Sequence, residues 1–153
     1  MIDLGLAHVP KVQNRYRHML AEDIEIWRRF VFNGDYLPDV VWYDVRCGHG
    51  VRLSDVQPDW MKRMALGLTR KRIDVVGRIG MDYWIIEVKP RASYDAFGQV
   101  VFYADAFEKE HQPAGQVYPV LVTDQVDPDI LSLCDEVGVL VVEVGSKEKG
   151  RPN

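Results

Sequence analysis

Residues 72–89, RIDVVGRIGMDYWIIEVK, decide how this chain is read. Ile73, Val75 and Val76, then Tyr83, Trp84, Ile85, Ile86 and Val88, are strand formers on either side of a break that holds Gly77 and Gly80. That pattern is a hairpin. With Gly80-Met81 as a two-residue turn, glycine first as a type II′ turn requires, the register sets Asp74 opposite Glu87. A slip of two residues would leave the acids diagonal on one face, and a slip of one would separate them. Lys89, two residues past Glu87, shares its face. Trp84, Ile86 and Val88 line the opposite face, while Tyr83 and Ile85 lead up to Glu87. The second strand therefore expects apolar cover on both sides, in the middle of a helix-covered sheet.

Two carboxylates about 4 Å apart repel by roughly 4 kcal/mol at an effective dielectric near 20. Such a pair needs a proton on one member or a cation between them. Mg²⁺, a hard ion that keeps several of its waters, suits two carboxylates and a phosphate oxygen. Acids and a lysine on a strand are otherwise a solvated face, and it is the apolar setting of this hairpin that favours chemistry.

Asp74, twelve intervening residues, then Glu87-x-Lys89 at the end of an apolar strand resembles the PD-(D/E)xK nuclease superfamily. The resemblance implies that Asp74 and Glu87 hold one or two divalent metals, Mg²⁺ or Mn²⁺, and that Lys89 orients water or stabilises charge. Ile73 stands where the family's name has proline. Residues 93–110, SYDAFGQVVFYADAFEKE, follow directly and read as a helix with Phe97, Val100, Val101, Ala104 and Phe107 as its apolar stripe. Ser93 or Asp95 is available to cap its start. Gln99 and Tyr103, at i and i+4, project together. They resemble the QxxxY element of the family's exonuclease-like branch, which implies a role in positioning substrate or holding the site together.

The whole chain permits this reading. Its 153 residues make one domain, 47% hydrophobic and 27% charged, which is ordinary for a globular protein. No apolar run approaches 18 residues, and the start has neither a basic segment nor an apolar signal region, so a cytoplasmic protein without a membrane partner is expected. Cys47 and Cys134 have no metal or redox spacing, and Cys47-Gly48-His49 lacks a second paired motif for zinc. Acids outnumber bases, 23 to 19, so contact with nucleic acid needs a local patch. Lys62, Arg63, Arg70, Lys71 and Arg72 cluster before the hairpin, with Arg78, Lys89 and Arg91 near in sequence. Arg70, Lys71, Arg72 and Arg91 are the candidate phosphate contacts, and a solvated helix face is the competing reading.

The remaining elements come in order. A helix is expected over 14–32, and around Trp27 its apolar sector takes in Tyr16, Leu20, Ile24 and Val31, with Asp23 inside it. The resemblance implies a further metal-facing acid on the first helix. Wheel geometry favours Asp23, residue type favours Glu22 or Glu25, and Asp23 as an N-cap is the third possibility. Asn33-Gly34-Asp35 ends the helix, and Val40 to Val45 form a strand. A loop over 47–59 leads to a short helix over 60–68. A buried strand follows over 117–123, and Asp127 and Pro128 start a helix that Gly138 stops, with Leu131, Cys134 and Val137 inward. A last strand over 139–144 and a frayed tail complete an α/β fold with a central mixed sheet of about five strands flanked by helices. The resemblance implies a restriction-endonuclease-like core over about residues 15–144.

The function this predicts is a metal-dependent nuclease acting on DNA, or on RNA, with little sequence preference, since no sequence-reading module is present. The alternative is a catalytically inactive nucleic-acid-binding or phage assembly protein that keeps the fold. Four tryptophans and seven tyrosines leave enough aromatics for a homo-oligomer interface, unless the core absorbs them.

Overall fold

The computed structural model describes residues 2–34, 36–50 and 54–145, without the side chains of 64 and 66–69. The expected tail, 146–153, and Asp35 of the expected helix stop lie outside these residues. The elements run α1 (Ala21–Asn33), β1 (Val40–Cys47), α2 (Asp59–Thr69), β2 (Lys71–Ile79), β3 (Asp82–Ala92), α3 (Tyr94–His111), β4 (Val117–Val126), α4 (Pro128–Val137) and β5 (Leu140–Glu143). One five-stranded mixed sheet, ordered β1-β2-β3-β4-β5, carries them. β1, β2 and β3 pair antiparallel, while α3 and α4 return the chain for the parallel pairs β3/β4 and β4/β5. This is the α/β architecture expected from the sequence.

Alternation along the strands divides the core. Val75 of β2, Ile86 and Val88 of β3, and Val120 and Val122 of β4 pack with Ile26, Trp27 and Phe30 of α1. Their neighbours face the other way: Val76 and Ile85 meet Tyr103 and Phe107 of α3, and Leu121 meets Val100 of α3 and Ile130 of α4. β3 is thus the central strand with apolar cover on both faces, as its sequence implies.

The turn forms as expected. Ile79 pairs with Asp82 around Gly80-Met81, and Gly80 has φ 59° while Met81 does not share the left-handed region, which is the type II′ pattern. Gly77 is not part of the break. It lies inside β2, where a Cβ would come within 2.6 Å of the Pro38 ring, so close packing and not turn geometry requires glycine there.

Three further readings need correction. α1 starts at Ala21 and not near residue 14, with Leu20 as a capless N-cap left 64% exposed. Tyr16 still reaches the α1 core, but from the preceding segment, where its hydroxyl donates to the Lys11 carbonyl. On α3, Ser93 occupies the N-cap position without a side-chain bond. On α4, Asp127 caps, Pro128 leads and Gly138 stops in the left-handed region, all as predicted. Its inward pair is Ile130 and Cys134, while Leu131 and Val137 are exposed. A ten-residue helix against one sheet face buries a narrower i, i+4 row than the wheel allowed.

Candidate active site at the open end of the hairpin

The β2/β3 ladder runs through five pairs, from Ile79↔Asp82 to Val75↔Ile86, and stops there. Its next rung would be Asp74 opposite Glu87. β3 remains paired with β4 through Glu87↔Leu121, Val88↔Val122 and Lys89↔Thr123, so β2 is the strand that leaves. The parting exposes the Val88 N–H to the gap, and the Asp74 carboxylate takes it, Oδ2 accepting at 2.9 Å. A side chain thus replaces the lost backbone acceptor and fixes Asp74 at the mouth of the gap.

A second irregularity lies on the other side of Asp74. The β1/β2 ladder pairs Tyr43 with Val75 and Val45 with Ile73 but omits the rung between, Asp44 and Asp74. Tyr43 and Val75 pack toward α1, whereas Val45 and Ile73 pack in the α3 cluster. Strict alternation would put residues two apart on one face, so both strands rotate at this rung. Asp44 carries the rotation with φ 55°.

Around this opening the structure gathers Asp74, Glu87, Lys89, Asp23 and Tyr103. Glu87 is 4% exposed. Its Oε1 lies 3.6 Å from Lys89 Nζ, and its Oε2 has no hydrogen-bond partner among the described residues. Burial, then the charge of Asp74, pushes its pKa up to about 8 against the pull of Lys89. Burial likewise raises Asp74 to about 6, opposed by the Val88 N–H and reinforced by Asp23 and Asp44. Asp23 is raised by burial, and Lys89 is the strongest influence holding it down. The Tyr103 hydroxyl is pushed up to about 12 by burial, then by Glu87, Cys47 and Asp74, so it keeps its proton at neutral pH.

Asp23 is a buried residue in the first turn of α1, two residues past its start, which leaves the N-cap alternative unfilled. Of the other helix acids, Glu22 is exposed and Glu25 lies 3.5 Å from Arg29. Gln99 is exposed, one helical turn before Tyr103. Among the basic candidates, Lys71 and Arg91 are exposed. Arg70 fastens the end of β1 to α3, donating to the carbonyls of Gly48 at 2.8 Å and Arg46 at 3.3 Å and meeting the Glu110 carboxylate. Arg72 turns toward Asp44 and His18.

No family model, curated protein or solved structure matches the chain.

The donors fit a divalent cation in kind. Among the described residues no three His, Cys, Asp or Glu side chains converge closely enough to form a metal cage, and Mg²⁺ does not need one, because it is held by one or two carboxylates with waters and substrate phosphate. The observation on this side is Glu87 Oε2, a buried acceptor with no hydrogen-bond partner among the described residues. Cys47 fits no such role: burial, then Glu110, raises its thiol to about 11 and keeps it protonated.

Sequence reasoning missed Asp44, Arg17 and His18. Asp44 carries the same signal that exposed the other acids, a carboxylate interrupting the apolar run Val40–Val45. Nothing in the sequence tells that the segment before α1 folds back over it.

Proposed function

We propose that this protein is a divalent-metal-dependent nuclease that hydrolyses phosphodiester bonds, in DNA, with little sequence preference. The observation that carries the reading is the meeting of Asp74 and Glu87 at the point where β2 leaves β3. Glu87 is buried and Asp74 half-buried there against an electrostatic penalty that folding alone would avoid, and an ammonium group and a third acid lie within reach. Among the described residues no helix is long and apolar enough to cross a membrane, and a polyanionic substrate in water agrees with that.

In this reading Asp74 and Glu87 are the ligands of Mg²⁺ or Mn²⁺, with Asp23 contributing from α1. When bound, the metal polarises the phosphate, supplies hydroxide at neutral pH and steadies the leaving oxygen. The chain's own groups do the rest. The Val88 N–H holds Asp74 in one rotamer. Lys89, with its side chain 37% exposed, keeps its ammonium beside Glu87 while reaching solvent, where it orients a water or meets negative charge developing on phosphate. Tyr103 closes the α3 side as a neutral donor.

The test is cleavage of plasmid and linear DNA, with RNA offered alongside, in Mg²⁺ or Mn²⁺ by wild type, Glu87→Ala and Lys89→Ala. Cleavage by wild type that both variants lose supports the proposal. Equal cleavage by all three would mark contamination, and absence of cleavage with DNA binding retained would favour a binding or assembly protein.

A further inference from the structure

Three of the described non-glycine residues have left-handed backbones. Gln112 is a helix cap, where that conformation is ordinary. The other two, His18 (φ 59°) and Asp44 (φ 55°), lie far apart in sequence yet meet. His18 Nε2 is 3.1 Å from Asp44 Oδ2. Such strain in non-glycine residues persists only where the surroundings enforce it.

What surrounds Asp44 is cationic. Arg17 Nε lies 3.6 Å from Oδ2, Arg72 Nη1 lies 3.7 Å from Oδ1, and Arg72 Nη1 is also 2.7 Å from His18 Nδ1. The Asp44 side chain is 1% exposed, and neither of its oxygens has a well-directed hydrogen bond among the described residues. The side chains above it are 69% (Arg17), 48% (His18) and 33% (Arg72) exposed. Two guanidiniums against one carboxylate leave a positive excess before His18 counts. A carboxylate at such distances barely engages the guanidinium N–H donors, and although Arg72 Nη1 also meets the His18 ring, the largely exposed Arg17 keeps donors for a partner on the solvent side. Asp44 also occupies the rung position opposite Asp74, so the backbone that carries the cluster's central acid runs about one strand spacing, roughly 5 Å, from the backbone of Asp74.

We propose that Arg17, His18 and Arg72 form a phosphate subsite, held in place from beneath by Asp44, that grips a nucleic-acid phosphate adjoining the one at Asp74 and Glu87. This rests on the nuclease reading and assigns its substrate grip. A buried carboxylate too poorly aligned to satisfy its cations serves as a strut, leaving the guanidinium edges for a tetrahedral oxyanion. The sequence-adjacent Arg70 is engaged by backbone carbonyls and Glu110 and is no part of the subsite.

The test separates grip from chemistry. Binding of fluorescein-labelled duplex DNA is measured by anisotropy across a salt series, using Glu87→Ala protein so that no cleavage intrudes. Arg17→Ala, Arg72→Lys and the pair Arg17→Ala with Arg72→Ala are added to that background. Each lost arginine contact should lower the magnitude of the salt slope by about 0.9 and weaken binding. Arg72→Lys should keep the slope and lose affinity only by its poorer geometry. Three substrates identify the phosphate: equal loss on 5′-phosphorylated, 5′-hydroxyl and closed circular DNA assigns an internal phosphate, and loss confined to the first assigns a terminal one. Unchanged affinity and slope in Arg17→Ala, which is the most exposed and the least risk to folding, would overturn the subsite. The nuclease reading would then still stand or fall on Glu87→Ala cleavage alone.

Discussion

The two halves of one hairpin obey different rules. Toward the turn, β2 and β3 keep an unbroken ladder, and Val75, Val76, Ile85 and Ile86 are fully buried in alternation on two faces. Away from it the ladder ends, a carboxylate replaces a backbone acceptor, and the buried side chains include acids. The regular half supplies hydrophobic stabilisation. The irregular half uses the rigidity so obtained to hold like charges together, which no isolated strand could do.

Swapping the kind of side chain lost in each half tests that division. Glu87→Ala should lower cleavage by at least about 100-fold, with a melting temperature equal to or above wild type, since an acid raised by burial and by the charge of Asp74 is removed. Ile86→Ala, one residue earlier and fully buried against α1, should do the reverse. It should cost roughly 2–5 kcal/mol in denaturant unfolding while the surviving folded fraction cleaves normally. If the acid proved the more important for stability, the division would be wrong.

The same contrast carries a pH signature. Glu87 binds its proton more tightly folded, at about 8, than its ordinary value of 4.5, and Asp74 does so at about 6 against 3.8. Between those limits the folded state holds more protons than the unfolded state, so metal-free stability falls as pH rises from about 4 to 8. Carboxylates elsewhere add their own dependence, so the diagnostic quantity is wild type minus Glu87→Gln, expected to decline across that window by on the order of a few kcal/mol. Mn²⁺ should restore wild type at pH 8 and have little effect at pH 5, where protons already satisfy the acids. A wild-type advantage that grows with pH in chelator would contradict the burial argument.

How much of this was written in the residues depends on the range of the interaction. The hairpin register was legible because a glycine-first turn and period-two alternation are local, and they fixed Asp74 and Glu87 to one rung. Asp127, Pro128 and Gly138 bounded α4 for the same reason. That Asp23 lies on the buried side of α1 was legible from the helical wheel, although the helix begins seven residues later than expected. What stayed hidden is non-local. That β2 would leave β3 at Asp74, that the strands would rotate at the Asp44 rung, and that Arg17 and His18 would cover Asp44 all depend on tertiary contacts with no periodic trace. Leu131 and Val137 were misread as inward because residue type cannot say how wide a face the sheet will cover.

Tyr103 sits between the two regimes and should give the smallest effect. Its ring belongs to the apolar cluster with Ile85 and Phe107, while its hydroxyl feels Glu87 and Asp74. Tyr103→Phe keeps the ring and removes one neutral donor, the loss of which is worth about 1 kcal/mol. Cleavage should therefore fall less than tenfold, with the melting temperature unchanged. Tyr103→Ala removes the ring as well and should cost several kcal/mol of stability in addition. Steady-state cleavage and thermal melts of both variants separate the contributions. A Phe variant as inactive as Glu87→Ala would move Tyr103 from the edge of the site to its chemistry, and would mean that the apolar cluster reaches further into the site than the end of the β2/β3 ladder implies.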